Sequence, residues 1–155
     1  MRLWHKDLIP LLPDEQLLEQ WQDILIIADN LAKYGTPNDP LVNRITDFML
    51  DEFYTYVIDL VLPEMNKRYY KVDQFTIERF NQNLFEYCGH DNFTIIDHQA
   101  LFQGWMSTRY LQQCILNLEE LYDVGEIELK DWFKIVNGVR NMSVLCDETF
   151  ETLFT

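Results

Sequence analysis

Apolar residues recur along most of the chain at the three-to-four-residue interval of an α-helix, which buries one stripe of its surface and leaves the rest to solvent. After Pro13 and Asp14, a series of Leu17, Leu18, Trp21, Leu25, Ile26 and Ala28 stops before Gly35-Thr36-Pro37 and predicts a helix over 14–33. Beyond Asn38-Asp39-Pro40, residues Leu41, Ile45, Phe48, Met49, Phe53, Tyr56, Val57 and Leu60 keep the rhythm into Met65. A long second helix is therefore expected. Pro63 falls inside it and should bend or divide it, because proline has no N–H to donate and its ring crowds the preceding turn.

Phe75, Phe80, Leu84 and Phe85 predict a third helix over Gln74–Cys88, stopped by Gly89. Residues 89–103 leave loop, short helix and brief strand open. From Trp105 the period returns: Tyr110, Leu111, Cys114, Ile115, Leu118 and Leu121 form one stripe, closed by Asp123-Val124-Gly125. Leu129–Val139 reads as a further helix, with Trp132, Phe133, Ile135 and Val136, and Asp147–Phe154 as a short final one. The expected fold is mainly α, a single compact domain over 1–155 with five to seven helices. A chain of 155 residues, 48% of them hydrophobic, suffices for such a core, since folding at this size buries roughly 70% of the unfolded surface.

Charge changes the picture. Twenty-six acidic residues face twelve Lys and Arg, a formal net charge of -14. Residues 1–52 carry ten acids and four bases, 53–110 seven and five, 111–155 nine and three. Such a chain repels phosphate at long range, whereas a DNA-binding protein draws much of its affinity from cations that displace counterions. Direct DNA binding is disfavoured, and a basic partner is favoured. The one basic-aromatic patch, Lys67-Arg68-Tyr69-Tyr70-Lys71, reads as a helix end whose cations meet the negative helix pole, or as a stacking surface for single strands. No stretch approaches the roughly 20 apolar residues of a membrane span, and no secretory leader pattern opens the chain, so a cytoplasmic location without membrane contact is expected. Cys88, Cys114 and Cys146 lack metal or disulfide spacing and read as buried free thiols; His5, His90 and His98 form no ligand pattern. No metal and no cofactor is expected.

Particular residues carry a resemblance. The opening Met1-Arg2-Leu3-Trp4-His5-Lys6-Asp7-Leu8-Ile9-Pro10, then Leu12-Pro13, Gln16-Leu17-Leu18, Gln20-Trp21 and Gly35-Thr36-Pro37-Asn38 with Leu41-Val42-Asn43, resemble the pyrimidine-dimer DNA glycosylase (phage endonuclease V-like) family. Arg109–Cys114, Asn117-Leu118, Tyr122-Asp123 and Trp132 look like the carboxy-terminal part of its relatives. The resemblance implies a compact helical fold with the N-terminus in the active site. There the α-amino group, with an ordinary pKa near 8, attacks the sugar carbon of a damaged nucleotide to give an imine, and a nearby glutamate assists. That glutamate follows an arginine next to the aromatic residue matched here by Trp21, a candidate site-wall residue; this chain has Gln22-Asp23. Asp14, Glu15 and Asp39 likewise stand where the resemblance leads one to expect basic residues or histidine.

Two functions follow. In the first, the catalytic centre is degenerate and an acidic surface of Asp14, Glu15, Glu19, Glu119, Glu120, Asp123, Glu126 and Glu128 engages a basic nucleic-acid-binding protein, in the manner of a DNA-mimicking inhibitor of a defence nuclease. In the alternative, the chain is an active DNA glycosylase/AP lyase with Met1 as nucleophile, Asp23 as acid, and Arg2, Lys6, Gln22 and Arg44 as DNA contacts. The bland reading of the six acids within 119–131 is a solvated face.

Overall fold

A computed structural model describes residues 1–142. The helix expected over 147–154 and Cys146 lie outside the described residues. Within them the secondary structure is helical, without strands. A 3₁₀ segment (Lys6–Leu11) leads into α1 (Asp14–Tyr34), which ends at Gly35, whose φ of 71° closes the helix with an N–H bond to Leu31 O. α2 (Leu50–Thr55) continues through a π-helical stretch (Tyr56–Val61) into α3 (Leu62–Lys67). α4 (Gln74–Cys88), α5 (Thr108–Asp123) and α6 (Leu129–Arg140) complete the fold. Asp73 and Ser107 cap α4 and α5 by accepting from Thr76 N and Tyr110 N, which satisfies donors that a helix start leaves open.

α1 is the central element. Its Leu17, Trp21, Ile24, Ile27, Ala28 and Leu31 are buried, and the helix packs on α4 and on the π-helical stretch. Phe53 of α2 meets Phe80 of α4 edge-on, with ring centroids 5.8 Å apart, inside one cluster of buried residues that reaches from Leu3 to Val139. Fully burying one such aromatic stabilises the fold by about 1.5–3 kcal/mol. α6 lies so close to the 3₁₀ segment that a Cβ on Gly138 would stand 2.3 Å from a methyl of Leu11; glycine permits that approach.

Three expectations from the sequence need correction. The second helix begins at Leu50, not Pro40, and residues 43–47 form only a 3₁₀ turn. Side chains there compete for the backbone: Asn43 Oδ1 accepts from Asp39 N at 3.0 Å, and Asp39 Oδ1 accepts from Leu41 N at 2.9 Å. Phe48 is drawn out in extended conformation to pack on Phe102 and Trp105, leaving Leu41 and Met49 exposed. Pro63 neither breaks nor ends its helix; the missing donor is absorbed by widening the preceding turn into the π stretch. Cys88 is only partly buried, whereas Cys114 is buried as expected.

The open choice over 89–103 resolves as a loop with one short 3₁₀ turn (His98–Ala100), fastened by α2 and the π stretch. Asp51 accepts from Thr94 N at 2.7 Å, Thr55 Oγ1 from Ile96 N at 3.0 Å, and Glu52 from Phe102 N at 2.7 Å; His98 Nε2 lies 2.7 Å from Asp59. Arg68 in the basic-aromatic patch is also a fastener. Its guanidinium donates to Glu64 (2.9 Å), Asp14 (3.0 Å) and the carbonyls of Leu12 and Pro10, which fixes the turn before α1. The Glu64 and Arg68 side chains are both nearly buried, so Arg68→Met should cost about 2–4 kcal/mol, because it strands a carboxylate and two carbonyls. A urea midpoint shifted by less than the equivalent of about 0.5 kcal/mol would contradict this role.

Candidate active site at the N-terminus

Gln20 builds the site. It sits on the buried stripe of α1, where its amide replaces a partner strand for the first residues of the chain: its Oε1 accepts from Trp4 N at 2.8 Å and its Nε2 donates to Arg2 O at 2.9 Å. The Tyr56 hydroxyl donates to Trp4 O at 2.6 Å and also reaches Gln20 Oε1. Tyr110 donates to Leu3 O, and burial pushes both phenols well above their ordinary pKa, so they remain neutral donors. His5 is held between Asp7 N, which donates to its Nδ1, and Met106 O, which accepts from its Nε2. That pairing assigns a neutral ring, and burial lowers its pKa against the opposing pull of Asp7.

This clamp delivers the terminal amine to the side of α1. Met1 N lies 3.6 Å from Asp39 Oδ2. Asp23, one helical turn beyond Gln20, is half-buried and interacts electrostatically with the amine, the backbone N–H of Arg2 and the Asp39 carboxylate. Burial raises its pKa; the amine and the Arg2 N–H oppose the shift, and Asp39 adds to it. Arg2 lays its guanidinium over Trp4, 4.6 Å from the ring centroid. Trp21, two residues before Asp23, is buried.

The other proposed DNA contacts do not converge as well. Lys6 donates to Gln99 O (3.2 Å) and Leu101 O (2.9 Å), so it serves the 89–103 loop, and burial lowers its pKa. Arg44 donates to Gly104 O at 3.2 Å beside Trp105. Gln22 is exposed on α1.

Carboxylates converge instead. Glu15, Glu19 and Asp23 recur every four residues and so share one face of α1, about 6 Å apart along its axis. Glu19 has its pKa raised by partial desolvation and then by Glu15, Asp23 and Glu126, which shows that the loop after α5 brings its acid to the same face. Asp14 and Glu128 line a cleft beside it. Glu119, Glu120 and Asp123 lie near the end of α5 and do not line that cleft.

The pyrimidine dimer DNA glycosylase family profile matches residues 1–78, a span holding the amine, Asp23, Asp39 and the clamp residues Gln20 and Tyr56. The chain belongs to this family. No curated protein and no solved structure matches it. The family match ends before α5, so the likeness of 109–132 to family members stands on the quoted residues alone. Gln20, Tyr56 and Tyr110 were not singled out by sequence reasoning. The available signal was a polar group on an apolar stripe at Gln20 and Tyr56, since a buried polar atom must find a partner.

Gln20→Leu keeps the volume but leaves Trp4 N and Arg2 O unpaired, and should cost about 2–3 kcal/mol by urea denaturation; an unchanged midpoint would refute the clamp. Asp23 in the folded protein keeps a proton above pH 3.8, where the unfolded chain has released it, so its contribution to stability falls as pH rises through the raised folded value. Asp23→Asn, measured against the parent chain across pH 3–7, should therefore gain relative stability toward neutral pH. A relative loss would contradict the buried-carboxylate assignment.

Proposed function

We propose that this family member acts as an acidic protein-binding module, with a DNA-mimicking face directed at a basic nucleic-acid-binding protein, and that its catalytic centre is degenerate. The observation that carries the reading is the continuous run of carboxylates from Asp39 through Asp23, Glu19 and Glu15 to Glu126, on the flank of the terminal amine. DNA brought to that amine meets negative charge at closest approach, and Lys6 and Arg44 are already engaged with loop carbonyls. For a basic protein the same face is complementary, which promotes fast, salt-sensitive association.

A second reading has its own observation. The electrostatic interaction of Asp23 with the amine and with Arg2 supports an amine-dependent glycosylase/AP lyase. In that reading the Met1 amine attacks the sugar carbon and Asp23 handles the proton. Asp23 is one methylene shorter than the family's glutamate, a displacement of about an ångström that costs on the order of 10²-fold in rate.

Incubation with abasic-site duplex and borohydride separates the two. The expected result is no covalent adduct and no retention of the duplex at low salt. In parallel, the protein should displace labelled duplex from a purified basic DNA-binding protein, where an unrelated acidic protein of equal charge does not. The triple reversal Glu15→Lys, Glu19→Lys, Glu126→Lys should weaken displacement at least tenfold. A trapped adduct that disappears when the N-terminus is blocked would overturn the binding reading.

A further inference from the structure

Beside the carboxylate run, the first turn of α1 and the start of α6 enclose a cleft of about 380 Å³. Gln16 lines it, is 3% exposed, and carries a side-chain oxygen with no hydrogen-bond partner among the described residues. Buried acceptors are almost always satisfied, so an orphan in a cleft wall marks a place for a donor from outside. That oxygen is itself buried, so a donor from the cleft reaches it once the broad terminal torsion of the glutamine turns it outward.

Among the described residues no side chain answers that oxygen, although Lys134 also lines the cleft. Arg68, at the edge of the cleft, spends its guanidinium on Glu64, Asp14, Leu12 O and Pro10 O, and Lys130 lies 3.5 Å from Glu128. Glu15, Glu126 and Asp131 line the same cleft and form no ion pair among the described residues. The missing donor must therefore satisfy a neutral carbonyl and separated carboxylates at once. A metal ion does not suit that set, since no group of three metal-binding side chains gathers among the described residues. A guanidinium does: it is planar, permanently charged, and carries five N–H donors in a fixed fork.

We propose that this cleft is a socket for the arginine side chain of a basic partner, which donates to Gln16 Oε1 while Glu15 and Glu126 hold its charge. The proposal rests on the acidic-module reading and adds the group that the surface recognises. A surface that attracted cations by charge alone would not distinguish a cation bearing N–H donors from one without them; an orphan acceptor does.

The test follows the backbone amides lining the cleft, and in the parent chain the Gln16 side-chain amide, by ¹⁵N-resolved NMR of the full chain, titrated with N-acetyl-arginine amide, with agmatine, and with tetramethylammonium, which has the same headgroup charge as a guanidinium but no N–H. The arginine probe should give saturable shifts at Gln16 and tetramethylammonium none. Gln16→Met should weaken arginine binding at least tenfold, with Gln16→Glu, which keeps the acceptor, retaining it. Glu126→Gln, an exposed change that does not touch the core, should weaken it several-fold. Equal shifts from tetramethylammonium, or an unaffected Gln16→Met, would overturn the socket. Tighter binding of agmatine than of the arginine amide would assign the site to a free guanidine in place of a partner's side chain. If Gln16 stays silent while duplex displacement from the basic protein persists, the socket fails and the acidic-module reading stands. If Gln16 responds but displacement is absent, the socket survives and the partner reading fails.

Discussion

One buried amide organises this protein. Gln20 reads the backbone of residues 2–4 from the side of α1, and Tyr56 and Tyr110 complete the arrangement from the π-helical stretch and from α5. Each such bond contributes only about 0.5–1.5 kcal/mol net, yet leaving a buried partner unmet costs about 1–3 kcal/mol, so the set holds because every member is satisfied. Three elements distant in sequence thus agree on one path for the N-terminus. The position of the terminal amine is a consequence of core packing, not of the terminal residues' own preferences.

That constraint fixes what surrounds the amine. The helix that carries Gln20 also carries Asp23 one turn on, and Glu19 and Glu15 behind it, so holding the N-terminus against α1 sets it on an acidic flank. Meanwhile the cations that might have answered a phosphate are used within the fold: Arg68 ties α3 to the start of α1, and Lys6 ties the 3₁₀ segment to the loop before α5. The chain belongs to the pyrimidine dimer DNA glycosylase family, and carboxylates line the flank of its terminal amine.

Helical period marked α1, α4, α5 and α6 to within a few residues, because each buries one apolar stripe and ends at a glycine, a turn or an ordinary cap. It failed over 40–49, where Asn43 and Asp39 side chains offered the backbone other hydrogen bonds and Phe48 found a better site against Trp105. It could not choose over 89–103, whose backbone is satisfied by Asp51, Glu52 and Thr55 about forty to fifty residues away. The Arg68 clamp was hidden for the same reason, since its partners lie more than fifty residues upstream.

The sequence by itself determined the helical class, the net charge, the resemblance at the N-terminus and the substitution to Gln22-Asp23, since all of these are local in the chain. Only the tertiary structure decided that the amine lies against Asp39 with Asp23 within electrostatic reach, that Glu126 lines the same cleft as Glu15, and that Gln16 is buried beside that cleft without a partner among the described residues. Burial and through-space charge depend on which distant segments pack together, and no spacing along the chain encodes that.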